Sequence, residues 1–168
     1  MSDKSTANHP KESKTQFESA ASSAGKAAAH YFHQVDDPYS HLAAQCLERL
    51  VAVYRIDIIP HLVPPPDDSA APERARLKAY ALRDATRLAR RHGLSYPDHA
   101  TERDADSVRL AGARLAWTME HGTFLQEAPR IGDALWRGLA SNAEAADLST
   151  TERIVGEGEK LRAVRADR

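Results

Sequence analysis

The 39 residues from Ala28 to Pro66, AAHYFHQVDDPYSHLAAQCLERLVAVYRIDIIPHLVPPP, constrain the fold more than any other part of the chain. Small, aromatic and β-branched residues from Ala28 to Val35 suit a strand, with Tyr31, His33 and Val35 on one face and His30, Phe32 and Gln34 on the other. Asp36-Asp37-Pro38 then supplies a helix start. An aspartate cap accepts orphan backbone N–H bonds, and a proline at the first helical position loses nothing by lacking its own. Leu42, Ala43, Cys46, Leu47, Leu50 and Val51 recur at spacings of three and four, which predicts one amphipathic helix lying on a sheet. Tyr54 to Ile59 alternates as a second strand, and Pro60 followed by Pro64-Pro65-Pro66 stops it. A strand, a crossover helix and a strand in this order form the parallel, right-handed unit of α/β proteins.

The remainder reads as helices. Residues 1–27 are rich in Ser, Lys, Ala and Thr with Phe17 their single large apolar side chain, so a disordered N-terminal tail is expected. Glu73 to Gly93 has Leu77, Tyr80, Ala81, Ala85, Leu88 and Ala89 at helical spacing and ends on glycine. Leu94 to Ala100, with Pro97, reads as a loop. Ser107 to His121 and Phe124 to Gly138 repeat the helical pattern, the latter with Pro129 limiting its start or kinking it. Leu148 to Val164 forms a last helix, capped by Ser149, with a thin apolar face weakened by Gly156 and Gly158.

Charge is nearly balanced, with 23 Lys plus Arg against 24 Asp plus Glu, so no basic field recommends a nucleic acid. The arginines at 74, 76, 83, 87, 90 and 91 interleave with Glu73 and Asp84 and lack stacking aromatics, which fits a solvated helix face. No apolar run approaches the roughly 18 residues of a membrane helix, and no secretory leader is apparent, so a cytoplasmic protein with no membrane partner is expected. Cys46 is the only cysteine, which excludes an intrachain disulfide and a cysteine-rich zinc site. It falls on the helix's apolar face as a small hydrophobe. Eight histidines show no i, i+4 zinc pair, and no metal is expected, although His33, His41 and His61 come from different elements that could approach the helix start. Asp36 and Asp37 read as a cap rather than as paired acid–base carboxylates. Trp117 and Trp136 read as core residues.

From Tyr31 to Ala44, YFHQVDDPYSHLAA resembles the DsbA-like branch of the thioredoxin fold, most closely 2-hydroxychromene-2-carboxylate isomerases and kappa-class glutathione transferases. Asp37-Pro38-Tyr39-Ser40 stands where those families carry Ser-Pro-Tyr-Ser. Further matches run in order through Lys78-Ala79-Tyr80, Arg83-Asp84, His92-Gly93-Leu94, Pro97 and Ala134-Leu135-Trp136. The resemblance implies an α/β protein: a tail over 1–27, a thioredoxin-like βαβ unit over 28–66, a helical insert over 67–148 and a C-terminal helix or frayed tail over 149–168. It implies a glutathione-dependent isomerase or transferase, or an oxidoreductase, with Asp37 and Ser40 at the catalytic positions and Pro38 and Tyr39 lining a glutathione site. A small thiol or aromatic substrate would follow.

Two departures bear on that expectation. The family's first motif position holds a nucleophilic cysteine or a serine that stabilises a thiolate, and here it is Asp37. A helix N-terminus stabilises negative charge and so activates a thiol; a resident carboxylate would be held ionised and would repel one. A catalytically silent binding or scaffold protein is therefore the alternative. Ser40 either donates to a ligand or is satisfied by local backbone. After Trp136 there is no proline and no strand pair, so the second half of the thioredoxin sheet is missing from this sequence. The chain is a fragment, two chains complete each other through an exposed sheet edge, or the fold is a reduced one.

Overall fold

The computed structural model describes residues 27–67, 72–139 and 144–166, so all but the last residue of the expected N-terminal tail lies outside them. Among these residues there are six helices and one two-stranded parallel sheet. The first strand, β1 (Ala28–Gln34), is followed by α1 (Pro38–Ala44), α2 (Leu47–Tyr54) and β2 (Asp57–Val63). Then come α3 (Arg74–His92), α4 (Ala105–Glu120), α5 (Phe124–Arg137) and α6 (Leu148–Ala166). The expected βαβ unit and the helices after it are present, with three differences inside the unit.

The crossover is two helices rather than one. Asp37 caps α1, but Cys46 N–H bonds back to the Ala43 carbonyl at 2.9 Å, a tight turn that ends α1 and starts α2 in a new direction. The buried residues are consequently Leu42, Ala44 and Leu47, while Ala43 and Leu50 face outward and Cys46 is only half-buried. The second strand also begins later than the pattern predicted. Tyr54 closes α2, and Arg55 turns the chain in a left-handed conformation with φ 52°.

Pro60 does not stop β2 but sits inside it, and the ladder explains why. The register runs from Ala28 opposite Asp57 to Gln34 opposite Val63, and Asp57 N–H donates to the Ala27 carbonyl at 2.9 Å. In a parallel ladder both backbone groups of a residue point the same way and alternate along the strand. Ala29, Tyr31 and His33 therefore bond to β2, while Ile58, Pro60 and Leu62 turn their backbone groups away from β1. Proline there costs no ladder bond.

One sheet face carries Tyr31, His33, Ile58 and Leu62 into a core with Leu115 of α4, and Phe124, Ala128 and Ile131 of α5. Full burial of side chains such as Phe124, Leu62 and Leu115 contributes about 1.5–3 kcal/mol each. A second cluster joins Leu42 of α1, Ala85 and Ala89 of α3, Tyr96, and Trp136 of α5, so Trp136 is core as expected; Trp117 is half-buried and lies against His121. These two clusters fix α1 between the sheet and the helices.

The last helix differs from its predicted role. Asp147, not Ser149, caps it, accepting from the Thr150 N–H at 2.7 Å. Ile154 is buried in the main core. At Gly158 the helix runs so near β2 that an added Cβ would lie 2.0 Å from the Leu62 carbonyl oxygen, so this glycine permits the contact rather than merely weakening α6. The helix thus covers the outward side of β2. Among the described residues no helix is long and apolar enough to cross a membrane.

Candidate functional site

The turn after β1 is built from short polar contacts that fix α1 at its first residue. Asp37 Oδ2 accepts from the Ser40 N–H and from the Ser40 hydroxyl, both at 2.8 Å, and Asp37 Oδ1 accepts from the Tyr39 N–H at 3.4 Å. The Ser40 hydroxyl oxygen in turn accepts the Gln34 N–H at 3.3 Å, and the Tyr31 hydroxyl donates to the Ser40 carbonyl at 2.8 Å. Ser40 is buried, and both partners of its hydroxyl belong to the turn. In the structure the Ser40 hydroxyl has the Asp37 carboxylate as its acceptor and the Gln34 backbone N–H as its donor.

The N–H groups that would meet a thiolate or another anion at this helix start are already held by Asp37. Its replacement by alanine is expected to cost about 1 kcal/mol, in the range of a lost helix cap, when unfolding is followed by urea denaturation. An unchanged midpoint would mean that the cap contributes nothing here.

Beneath the turn lies a second polar set. The Tyr31 hydroxyl is 2.9 Å from His33 Nδ1, and because its own proton goes to Ser40, the imidazole is the donor in that pair. Burial, reinforced by nearby His41, pulls His33 down to about 3, so the ring is neutral at pH 7. The Tyr31 hydroxyl is pushed up, chiefly by burial and then by the Asp37 charge. His33 and His41 therefore do approach the helix start, whereas His61 lies on the opposite sheet face, with its Nε2 2.8 Å from His30 Nδ1. No group of three possible metal ligands occurs among the described residues.

Beside the turn, a cleft of about 390 Å³ opens between α1 and α3. Asp37, Pro38 and Tyr39 form one wall, Leu77 and Tyr80 another, and Trp136 lines it as well. Leu77 and Tyr80 share the helical spacing of Ala85 and Ala89, yet each is 53 % exposed, because α3 buries the small residues Ala85 and Ala89 instead. The cleft walls are largely apolar. The Tyr39 hydroxyl donates to Asp84 Oδ2 at 3.0 Å, and burial together with that carboxylate pushes it up to about 12.

The charged rim is largely self-compensated. Lys78 sits 2.5 Å from Glu102 and 3.5 Å from Asp36, and the Glu102 contact chiefly raises its pKa. Trp136 and Arg103 also line the cleft; Trp136 Nε1 and Arg103 Nε are themselves buried without an acceptor among the described residues, an arrangement that costs about 1–3 kcal/mol per group when nothing satisfies it.

A second cluster, which the sequence pattern did not reveal, joins α1, α5 and the loop after α3. Gln45 exchanges two bonds with Ser95, through Oε1 to the Ser95 N–H at 2.8 Å and through Nε2 to the Ser95 carbonyl at 2.9 Å. His41 Nε2 meets that same carbonyl at 3.1 Å, and the Ser95 hydroxyl donates to Asp133, itself bound by Arg137 Nε. Serine, histidine and aspartate here do not make a nucleophile. The imidazole contacts the backbone carbonyl rather than the hydroxyl, whose proton goes to Asp133 and whose oxygen accepts from Arg137, so no histidine faces Oγ and the cluster pins the loop.

The site so defined is a capped helix start bordering a largely apolar cleft. No family model matches the chain, and no curated protein matches it.

Proposed function

We propose that this chain is a catalytically silent binding protein on a thioredoxin-like βαβ unit of the DsbA-like kind, taking a small molecule into the cleft beside Tyr39. The observation that carries this reading is the Asp37 carboxylate, which holds the N–H groups of Tyr39 and Ser40 and the Ser40 hydroxyl. Family chemistry needs that place for a thiolate or for a serine that receives one. A carboxylate already seated there repels a thiolate and leaves no free donor for it.

The cleft suits a ligand with an apolar body: its volume falls within the range of small-molecule sites, its walls are largely apolar, and Leu77 and Tyr80 would cover that body. The competing reading, a glutathione-dependent isomerase or transferase, rests on the order of motifs from Tyr31 to Trp136 and requires Asp37 to act in place of the missing nucleophile.

Titration calorimetry with glutathione and turnover of an electrophilic aromatic chloride with glutathione separate the two. The expected result is no heat at millimolar glutathione and no turnover, while the anionic aromatic dye anilinonaphthalene sulfonate binds the folded chain. Leu77→Asp should weaken the dye about tenfold by removing apolar wall. Turnover by the native chain that disappears in Asp37→Asn would overturn the silent reading. Dye binding unaffected by Leu77→Asp would remove the cleft as its site.

A further inference from the structure

The outer edge of β1 is a self-complementary hydrogen-bonding surface. Because Ala29, Tyr31 and His33 turn their backbone groups to β2, Ala28, His30 and Phe32 turn theirs the other way. Gln34, the next in that series, is already satisfied: its N–H goes to the Ser40 hydroxyl and its carbonyl accepts the Asp37 N–H at 3.2 Å. The N–H and C=O of Ala28, His30 and Phe32 form no hydrogen bond among the described residues.

The two strand edges are managed differently. The outward side of β2 is closed by α6 at Gly158, and Pro60 removes a donor there. On β1 there is no proline, no lysine and no bulge, the devices that ordinarily keep an open edge from pairing. An edge that no described residue pairs with, beside one closed twice over, is an edge with a use.

We infer that the occupant is a second copy of this chain, pairing β1 with β1 in antiparallel fashion about a two-fold axis at His30. The register follows from the spacing. Three outward residues at intervals of two place Ala28 opposite Phe32 of the second copy, His30 opposite His30, and Phe32 opposite Ala28, so every outward N–H meets a C=O. The side chains of these residues share the sheet face away from the core, where opposed pairs lie closest in space. A methyl group opposite a phenyl ring leaves that ring room. His30 is drawn toward β2 by His61, with Nδ1 2.8 Å from Nε2, and Phe32 lies against the same His61 ring, so both are held away from the axis. The product is a four-stranded sheet whose outer edges are the two strands closed by α6. This pairing involves no residue of the α3 wall of the cleft and stands whether or not the cleft binds a ligand.

Sedimentation velocity on the full chain tests this together with two edge variants. Phe32→Pro deletes an outward donor without touching the β1–β2 ladder, and two such donors are lost per dimer. Ala28→Lys places an ammonium on an exposed edge residue and leaves the fold untouched should the proline variant fail to fold. The native chain should sediment as a dimer at micromolar concentration, and each variant should weaken the dimer at least about tenfold. In amide exchange, Ala28, His30 and Phe32 should be protected in the native dimer and lose protection in Ala28→Lys. A native chain that sediments as a monomer, or outward amides that exchange freely in it, would overturn the pairing. So would a dimer that tolerates Ala28→Lys.

Discussion

Gly158→Ala should destabilise the protein by about 3 kcal/mol, while Gly156→Ala, two residues earlier in the same helix, should stabilise it by about 0.5–1 kcal/mol. Intrinsic propensity treats the two substitutions alike, since alanine is favoured over glycine by up to about 1 kcal/mol at either helical position. Their surroundings separate them. A Cβ at Gly156 meets nothing within 4 Å, so the propensity gain stands alone. A Cβ at Gly158 would lie 2.0 Å from the Leu62 carbonyl oxygen and 3.0 Å from its carbon. That obstacle is strand backbone, which cannot rotate aside as a side chain can. The helix must lift from β2, and lifting it draws Ile154 from the core it shares with Leu62 and Leu115. Losing the burial of one such side chain costs about 2–5 kcal/mol when nothing refills the space, which exceeds the propensity gain. Urea denaturation of the three proteins checks this through opposite shifts of the midpoint. Equal shifts in the same direction would mean that α6 does not rest on β2 at Gly158.

The same glycine shows where the sequence is legible and where it is not. A glycine in a helical pattern reads as a defect because the sequence carries only the local cost, and the compensating contact comes from a strand almost a hundred residues earlier. Local signals transferred well. Asp37-Pro38 does start a helix, Gly93, Gly122 and Gly138 do end or follow helices with φ near +65°, and His30 and His33 do fall on opposite faces. Signals that depend on what lies beyond the segment transferred poorly. The periodicity from Leu42 to Val51 is continuous, yet the helix breaks at Gln45–Cys46, where Gln45 is drawn to Ser95 by contacts fifty residues apart. Pro60 reads as a stop, and only the ladder's parity shows that its missing N–H faces away from β1. At the site, Asp37, Pro38 and Tyr39 were placed by the motif and do line the cleft, while Lys78, Arg103 and Trp136 reach it through tertiary packing. Ser40 illustrates the converse: its position in the motif is retained, but its hydroxyl is spent on the turn.

Acidification should cost the protein on the order of 3 kcal/mol between pH 7 and pH 4 through His33 alone, and His33→Asn should remove that part of the loss. The ring is buried against Phe124 at 5.6 Å and 82°, and it donates from Nδ1 to Tyr31, whose proton is committed to the Ser40 carbonyl. Protonation places a charge at a site that offers little solvation, which is why the folded chain holds His33 down to about 3 against an ordinary value of 6.5. The sign follows from the direction of that shift. Above the unfolded value both states carry a neutral ring, and the interaction is fully present. As pH falls below about 6.5 the unfolded chain takes up a proton that the folded chain refuses, and stability drops by up to about 1.4 kcal/mol per pH unit until the folded value is reached. Asparagine presents an amide N–H to Tyr31 in place of Nδ1–H and has no titration in this range, so any fixed cost of the substitution moves the whole curve while the slope reports the proton. His41 and His61 are also lowered, chiefly by burial, and both remain in the variant. Their contribution survives as the residual slope. Urea unfolding from pH 7 to pH 4 on both proteins gives the comparison, with the steeper curve expected for the native chain. Parallel curves would mean that His33 titrates alike in the folded and unfolded chain, and that the hydrogen-bonded base beneath Ser40 is open to water.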